Sequence, residues 1–375
     1  MKQGWTYKKL GEVCNIDYGT RVVRSRDAGS IYPVYGGGGA TFKMDAYNRE
    51  DCMVISRFGM SEQCTRFVKG KFFLNDSGLT LSMKEPCMIQ AFMDWEVFSL
   101  NNIIYSLGRG AAQKNLDTKA LADVILSYPN SLSEQQRIVS RLDSAFAHID
   151  ELKANAEKQV NEARALFQKA LSKAMEPKEG WEEKTLGEIG LTQTGTTLSK
   201  NDKDNYGDYI PFIRPSEIDI DGCGIIEYNS EIKLSEKGLS NGRLFKKGSI
   251  LMVCIGATIG KVGYCTQDIS CNQQINILTP QDDYDYKYLY YAMRNPDFNE
   301  RVIKEGTSSQ ATLPIINKGK WEKLSISCPP LSEQHRIVSR LDSLSKNVKA
   351  LEENQRKVMA ECDALKQALL RKVFE

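Results

Sequence analysis

Along residues 132–177, apolar or small side chains fall at Ile138, Leu142, Ala145, Ile149, Leu152, Ala156, Ala163, Leu166 and Ala170, in steps that alternate four and three around one polar break, Gln159. Residues 331–375 keep the same register at Ile337, Leu341, Leu344, Val348, Leu351, Val358, Cys362, Leu365 and Leu369, with Gln355 as the break. An apolar period of 3.5 residues held over about five heptads predicts two long helices whose seams pack as a coiled coil. At 1.5 Å per residue each would run about 60–65 Å. Ser133, with Gln136 three residues on, makes a capping box for the first helix, and Pro177 and Gly180 stop it. Ser332 caps the second, just after Pro329-Pro330. A long helix docked on its own domain is the plainer reading, but two near-identical seams favour pairing with each other, antiparallel, with a globular domain at each end.

Outside these stretches the pattern shortens to strands and brief helices. Strand-like runs cover 52–56, 66–68, 71–74 and 121–127, then 209–214, 249–255, 261–265 and 274–278. Residues 36–39 read as a flexible loop and 285–294 as a helix rich in tyrosine. Both segments are therefore expected to be α+β.

The chain repeats itself. Gly4-Trp5, Leu10-Gly11-Glu12 and Gly19-Thr20 return as Gly180-Trp181, Leu186-Gly187-Glu188 and Gly195-Thr196, each at an offset of 176. Residues 132–143 return at an offset of 199 with eleven of twelve positions identical, Gln136 alone becoming His335. A period this long indicates a duplicated domain pair with pseudo-two-fold symmetry rather than a solenoid. The expected organisation is a globular domain at 1–131, a helical spacer at 132–177, a second globular domain at 178–330 and a second spacer at 331–375.

Charge complicates the picture more than composition does. Residues 1–131 carry 16 basic and 13 acidic groups, whereas 180–330 carry 17 and 20, within a chain of net charge +2. If the second domain binds nucleic acid, its basic groups must gather on one face. Ten cysteines without a single C-x-x-C pair, and only two histidines, His148 and His335 in helical stretches, argue against a structural zinc site. Reduced thiols, together with the lack of a leader-like start or a long apolar run, predict a cytoplasmic protein that does not engage a membrane.

Side chains able to read bases or hold phosphates cluster in both segments. In the first they are Arg21, Arg24, Arg26, Lys43, Arg57, Arg66, Arg109 and Lys114; in the second, Arg214, Ser216, Thr258, Lys261, Gln273, Gln274, Ser308, Ser309 and Gln310. Arginine grips guanine and glutamine grips adenine bidentately, while lysine and hydroxyls mostly fix register on phosphates. The coiled-coil seam is assigned to Ile138, Leu142, Ile149, Leu152 and Leu166, with Ile337, Leu341, Val348, Leu351, Val358 and Leu365 opposite.

Catalytic signatures are poor. Cys328-Pro329-Pro330-Leu331 and Asn295-Pro296-Asp297-Phe298 do not fit the loop that holds a flipped base in a methyltransferase. Gly108-Arg109-Gly110 lacks the context of a cofactor loop, and the turn from Gly256 to Lys261 is one residue short of a phosphate loop and continues with Val262. An Asp219 or Asp221…Glu231-x-Lys233 string supports a metal-dependent nuclease as one alternative. A coiled-coil scaffold that binds only protein is another.

G-W-x-x-x-x-L-G-E opens each variable segment and L-S-E-Q-x-R-I-V follows it. Ile213-Arg214-Pro215, Gly256-Ala257-Thr258-Ile259-Gly260-Lys261 and Asn272-Gln273-Gln274 lie within the second. With these motifs essentially the whole chain resembles the specificity subunit of type I restriction-modification systems. The resemblance implies two target-recognition domains, each reading half of a split site in double-stranded DNA, on an antiparallel helix pair that acts as ruler. It further implies two methyltransferase subunits docked on the helices and restriction-translocase subunits joining them. S-adenosylmethionine, ATP and magnesium would sit on those partners, with no catalytic residue, metal or cofactor on this chain. In this alignment Ser56-Arg57-Phe58-Gly59-Met60 stands where the second domain has Cys254-Ile255-Gly256-Ala257-Thr258.

Overall fold

A strand at the start of each half pairs antiparallel with the strand that closes its globular part, and this clasp delivers the chain to a long helix. In the computed structural model, which describes residues 2–84, 86–111, 113–199, 201–218, 232–307 and 313–375, Trp5–Lys9 pairs with Ile125–Pro129 and Glu182–Thr185 with Ser325–Cys328. The repeated Leu-Gly-Glu forms one helical turn each time, Leu10–Val13 and Leu186–Ile189. Both leucines are fully buried, and their N–H groups donate to the carbonyls of Val124 and Leu324. The repeated Gly-Thr has a steric reason. A Cβ on Gly19 would sit 1.9 Å from the Asn75 carbonyl oxygen, and one on Gly195 2.2 Å from that of Asn272, so only glycine allows the strands to pass this closely.

The chain divides into two compact units, Met1–Asn155 with Val358–Glu375, and Ala156–Lys357. In the first, a six-stranded sheet runs in the order Cys14–Tyr18, Gly78–Met83, Arg49–Ser56, Thr65–Leu74, Tyr32–Gly36, Gly39–Met44. Its neighbours are antiparallel except the pair Thr65–Leu74 and Tyr32–Gly36. The helix Gln90–Ser99 buries Phe92, Met93 and Val97 in a core with Leu10, Ile55 and Leu79. The expected strand at 121–127 is in part a helix, Thr118–Ala122, because the Asp117 side chain accepts from Lys119 and Ala120 N–H and nucleates a turn. Residues 36–39 form a tight turn between paired strands rather than a loose loop.

In the second unit, a four-stranded antiparallel sheet runs Gly190–Thr194, Ile275–Pro280, Ile250–Val253, Val262–Tyr264, and Tyr206–Ile213 pairs in parallel with Ser270–Cys271. Asp285 caps the helix Tyr286–Arg294, which buries Tyr288, Leu289, Tyr291 and Met293 around Trp321. Helices and largely antiparallel strands make both units α+β.

The long helices are Leu132–Ala174 and Leu331–Phe374. Each starts one or two residues earlier than its sequence suggests. The Ser131 hydroxyl accepts from Glu134 N–H, which leaves Ser133 inside the first turn, and the second helix begins directly after Pro330 with Ser332 inside it. Within the first unit their segments run antiparallel: Lys153 pairs with Asp363 at 2.8 Å and Lys366 with Asp150. Within the second, Arg164 pairs with Glu352 at 2.6 Å and Gln355 donates to Gln159 at 2.8 Å.

The buried stripe departs from the expected seam. Leu142, Ile149, Ile337, Leu341 and Val348 are buried, Ile138 and Leu351 half-buried. Leu152, Leu166, Val358 and Leu365 are not in the seam; they are 54%, 68%, 37% and 49% exposed. Phe146, Phe167, Leu171 and Leu370 are buried instead, while Cys362 is buried as its register predicts. A straight helix turns every 3.6 residues, so a strict 3.5-residue template drifts by about 20° per heptad. By the middle of the helix the inward position has moved one residue on, to Lys153 beside Leu152 and to Phe167 beside Leu166.

The near-identity of the two helix starts has an internal cause. Gln135 and Gln334 are buried. Gln135 accepts from Ile89 N–H and donates to the Cys87 and Pro129 carbonyls; Gln334 accepts from Asp285 N–H and donates to the Pro329 carbonyl. Asp143 accepts from the Trp95 indole, and Asp342 from the Tyr291 hydroxyl and Lys287. The repeated glutamine and aspartate thus dock each globular part onto its helix.

Candidate nucleic-acid interface

Three chain reversals meet in each unit, and backbone hydrogen bonds show which residues correspond. Ser56 N–H donates to the Cys64 carbonyl as Val253 N–H does to that of Lys261. Arg57 N–H donates to the Ser77 carbonyl and the Arg57 carbonyl accepts from Leu116; Cys254 makes the same two bonds with Gln274 and Ile316. Arg57 therefore corresponds to Cys254, Phe58 to Ile255, and Gly59 to Gly256, both glycines at positive φ. This moves the sequence-based alignment by one residue: Ser56 stands opposite Val253.

The second reversal is Asn75-Asp76-Ser77 against Asn272-Gln273-Gln274. The asparagine side chain accepts from the N–H two residues on, at 2.9 Å in each. The third follows the parallel strand. The Tyr35 carbonyl accepts from Asn75 and the Ile213 carbonyl from Asn272, so Gly36 corresponds to Arg214. The same backbone frame thus carries different side chains in its two copies. The arginine sits at the third reversal in one copy and at the first in the other.

In the first unit the reversals are drawn together by Gly37. Its carbonyl accepts from the Ser56 hydroxyl and from Arg66 Nη2, both at 2.7 Å, and its N–H donates to the Ser77 hydroxyl. Arg66 is thereby committed to holding the glycine turn. Arg109 is paired with Asp117, which helps hold that carboxyl below its ordinary range, behind the larger effect of the Ala120 N–H. Arg26 pairs with its neighbour Asp27 at 2.9 Å. Lys114 lies over the Tyr105 ring, 4.0 Å from its centroid. Arg21, Arg24 and Lys43 are exposed, Lys43 on the edge strand Gly39–Met44. Arg57 is half-buried, with its guanidinium 4.7 Å from the Tyr18 ring and 4.5 Å from the Phe58 ring.

In the second unit the Arg214 guanidinium pairs with Glu217 at 3.0 Å, and Lys261 Nζ reaches the Pro215 carbonyl at 3.4 Å. Ser216 and Gln273 are exposed, Thr258 and Gln274 half-buried. The turn from Gly256 to Lys261 leads into the strand Val262–Tyr264, not into the helix a phosphate loop requires. Ser308, Ser309 and Gln310 lie outside the described residues, as do Asp219, Asp221 and Glu231; Lys233 lies 4.0 Å from Asp208.

Sequence reasoning missed Tyr18, Phe58, Gly36, Asp76 and Ser77. Tyr18 directly precedes the repeated Gly19-Thr20, a signal that was legible. Gly36, Asp76 and Ser77 differ in chemistry from their counterparts Arg214, Gln273 and Gln274, and they are matched by backbone bonds.

Other chemistry is sparse. Among the described residues no group of three or more His, Cys, Asp or Glu could hold a metal ion, and no helix is long and apolar enough to cross a membrane. The nine described cysteines are free, and burial pushes the thiols of Cys14 and Cys254 up to about 12, which makes them inert packing groups.

Comparison with known families finds the same duplication. A family model described as the type I restriction modification DNA specificity domain matches residues 2–162 and again 178–360. The chain belongs to that family. Its two family domains coincide with the two copies of the clasp, sheet and helix start described above.

Among curated relatives, the specificity subunit of the type I restriction enzyme HindI from Haemophilus influenzae is 29% identical over 40% of this chain and 32% of that subunit. The EcoDI specificity subunit from Escherichia coli is 22% identical over 99% of this chain and 88% of that one. Against the first relatives matched, the chain spans 32% to 60% of their length. A chain from a structure addressing complex assembly and conformational transition of the type I R-M system has the same fold. It superposes with a TM-score of 0.76 at 19% identity, covering all of this chain and 98% of that one.

Proposed function

We propose that this specificity-domain protein is the DNA-reading subunit of a type I restriction-modification complex. Each globular part reads one half of a bipartite site in double-stranded DNA, and the paired helices act as ruler and as docking surface for two methyltransferase subunits. Restriction-translocase subunits complete the assembly. The chain itself is non-catalytic and cytoplasmic; S-adenosylmethionine, ATP and magnesium are used by the partners. The observation that carries this reading is one backbone frame presented twice with different side chains at the same three reversals. A catalytic pair of domains would repeat its chemistry, whereas readers of two different half-sites must vary it.

Two features support the partner role. Leu166 and Leu365 are equivalent under the repeat and exposed on the helices, and the repeated Arg141 and Arg340 are exposed as well. Modest charge adds to the case. With +2 overall, phosphate attraction by this chain is weak, and the partners supply much of the affinity.

The test is co-expression with methyltransferase and restriction subunits, followed by methylome sequencing of the host. The expected result is a split motif with an unspecified gap, methylated only when this chain is present. Methylation independent of the chain, or none from an assembled complex, would overturn the reading.

A further inference from the structure

From the geometry around Arg57 we infer that this residue reads a guanine in the half-site of the first recognition domain, as a guanidinium held against the rings of Tyr18 and Phe58. This rests on the DNA-reading role proposed above and names the base that one side chain recognises.

The argument begins with which arginines are already committed. Arg26, Arg109 and Arg214 each have a carboxylate partner, and Arg66 is bonded to the Gly37 carbonyl. Arg57 differs from all four. Among the described residues its guanidinium has no hydrogen-bond or ion-pair partner, yet it is fixed in place by two rings at 4.7 and 4.5 Å. Both rings are solvent-exposed, Tyr18 by 45% and Phe58 by 39%. Stacking orders the side chain without using its N–H groups. Its fork is therefore oriented and unspent, the state needed to meet the O6 and N7 acceptors of guanine together. Arg21 and Arg24, exposed and without such supports, fit sequence-independent phosphate contacts.

The internal repeat sharpens the assignment. The position of Arg57 is filled in the second domain by Cys254, which is buried, and the position of Arg214 is filled in the first by Gly36. Glycine at residue 36 gives the first domain no reading side chain at that reversal: a Cβ on it would sit 2.4 Å from the Ser77 hydroxyl oxygen. An approaching base edge in the first domain meets Arg57 at the adjoining reversal. The second domain must read its half-site from a different strand end.

A first experiment needs no substitution. The assembled wild-type methyltransferase complex is titrated with duplexes of the methylated motif in which each guanine in turn is replaced by 7-deazaguanine, which lacks the N7 acceptor. One guanine in one half-site should weaken binding about tenfold or more, and the others less. Arg57→Gln, Arg57→Ala and Arg57→Lys, read by methylome sequencing, should relax the motif at that same base pair and leave the other half-site intact, which reports that the variant complex is folded. A first half-site without guanine, or no 7-deaza effect, overturns the inference. So does uniform weakening across sequences, which marks a phosphate contact, or full retention of specificity by all three variants. In each of those cases the wild-type chain still directs methylation of a split motif, so failure here is distinct from failure of the DNA-reading role.

Discussion

Glu96 shows how a single buried group tunes the first specificity-family domain. It is 2% exposed on the helix Gln90–Ser99, and its Oε1 accepts from the Ser127 N–H and hydroxyl on the closing strand. Its other oxygen is buried with no partner among the described residues. Burial pushes this carboxyl from 4.5 up to about 8, against the opposing pull of the Ser127 bonds and Lys2, and burial likewise pushes Asp94 up to about 7. Between pH 4.5 and 8 the folded state therefore holds a proton that the unfolded chain has released, so stability must fall as pH rises through that window. Denaturant unfolding of the full chain at pH 5 and pH 8 tests this. Glu96→Gln should gain stability relative to wild type at pH 8 and lose most of that advantage at pH 5. An advantage independent of pH would mean that Glu96 is ionised in the native protein. The second domain has no counterpart: by the register of Gln135 and Gln334 the equivalent position is Ala292, so the effect belongs to one domain only.

At the scale of the helices, two sets of leucines separate two kinds of contact. Leu142 and Leu341 are 2% and 1% exposed and equivalent under the repeat; Leu166 and Leu365 are also equivalent but exposed. Leu142→Asp or Leu341→Asp puts a charge into a packed seam and should cost about 3–5 kcal/mol, seen as a lowered urea midpoint. Leu166→Asp and Leu365→Asp should leave the unfolding free energy within about 0.5 kcal/mol of wild type and weaken co-purification of the methyltransferase subunit about tenfold or more. Unchanged co-purification in the double variant would remove this face from the partner surface.

The same helices show how far the sequence could be read. Their existence, length and antiparallel partnership follow from apolar spacing and the repeat, because periodicity is a local signal. Which residue of the pair Leu152-Lys153 or Leu166-Phe167 turns inward is not local. It depends on the accumulated drift of a 3.6-residue helix and on lysine stems lying along the seam: Lys153 and Lys366 are 28% and 19% exposed while paired to Asp363 and Asp150. The reading loops were the least legible. A run of arginines could be gathered as candidates, but whether each is spent on a carboxylate, a carbonyl or a pair of rings depends on the local turn, as for Arg26, Arg109 and Arg214, or on distant residues such as Gly37 for Arg66 and Tyr18 for Arg57. The correspondence of Arg57 with Cys254 is carried by backbone bonds that leave no trace in side-chain type.

For the whole molecule, the two units are built from the same parts with the helices exchanging roles. In the first unit the globular part docks on the start of Leu132–Ala174 and the end of Leu331–Phe374; in the second it docks on the start of the latter and the end of the former. The starts use Gln135 and Asp143 or Gln334 and Asp342. The ends use Leu370 and Phe374 or Leu171 and Met175, which are equivalent at the same offset of 199 as the helix starts. Even the first residues repeat: Lys2 lies over Trp5 at 4.8 Å and Lys178 over Trp181 at 5.6 Å. A globular part should therefore be accepted at either position. A chain in which residues 1–131 are replaced by a second copy of 178–330 behind an initiating Met keeps every docking residue, and Lys178 takes the place of Lys2. Under the proposed function, with the two copies carried on an antiparallel helix pair, identical readers address opposite strands. Methylome sequencing should then return an inverted repeat made of the second half-site twice, with the original gap length. A direct repeat, or loss of methylation from a complex that still assembles, would show that the two domains are not interchangeable and that the symmetry of the frame does not extend to DNA.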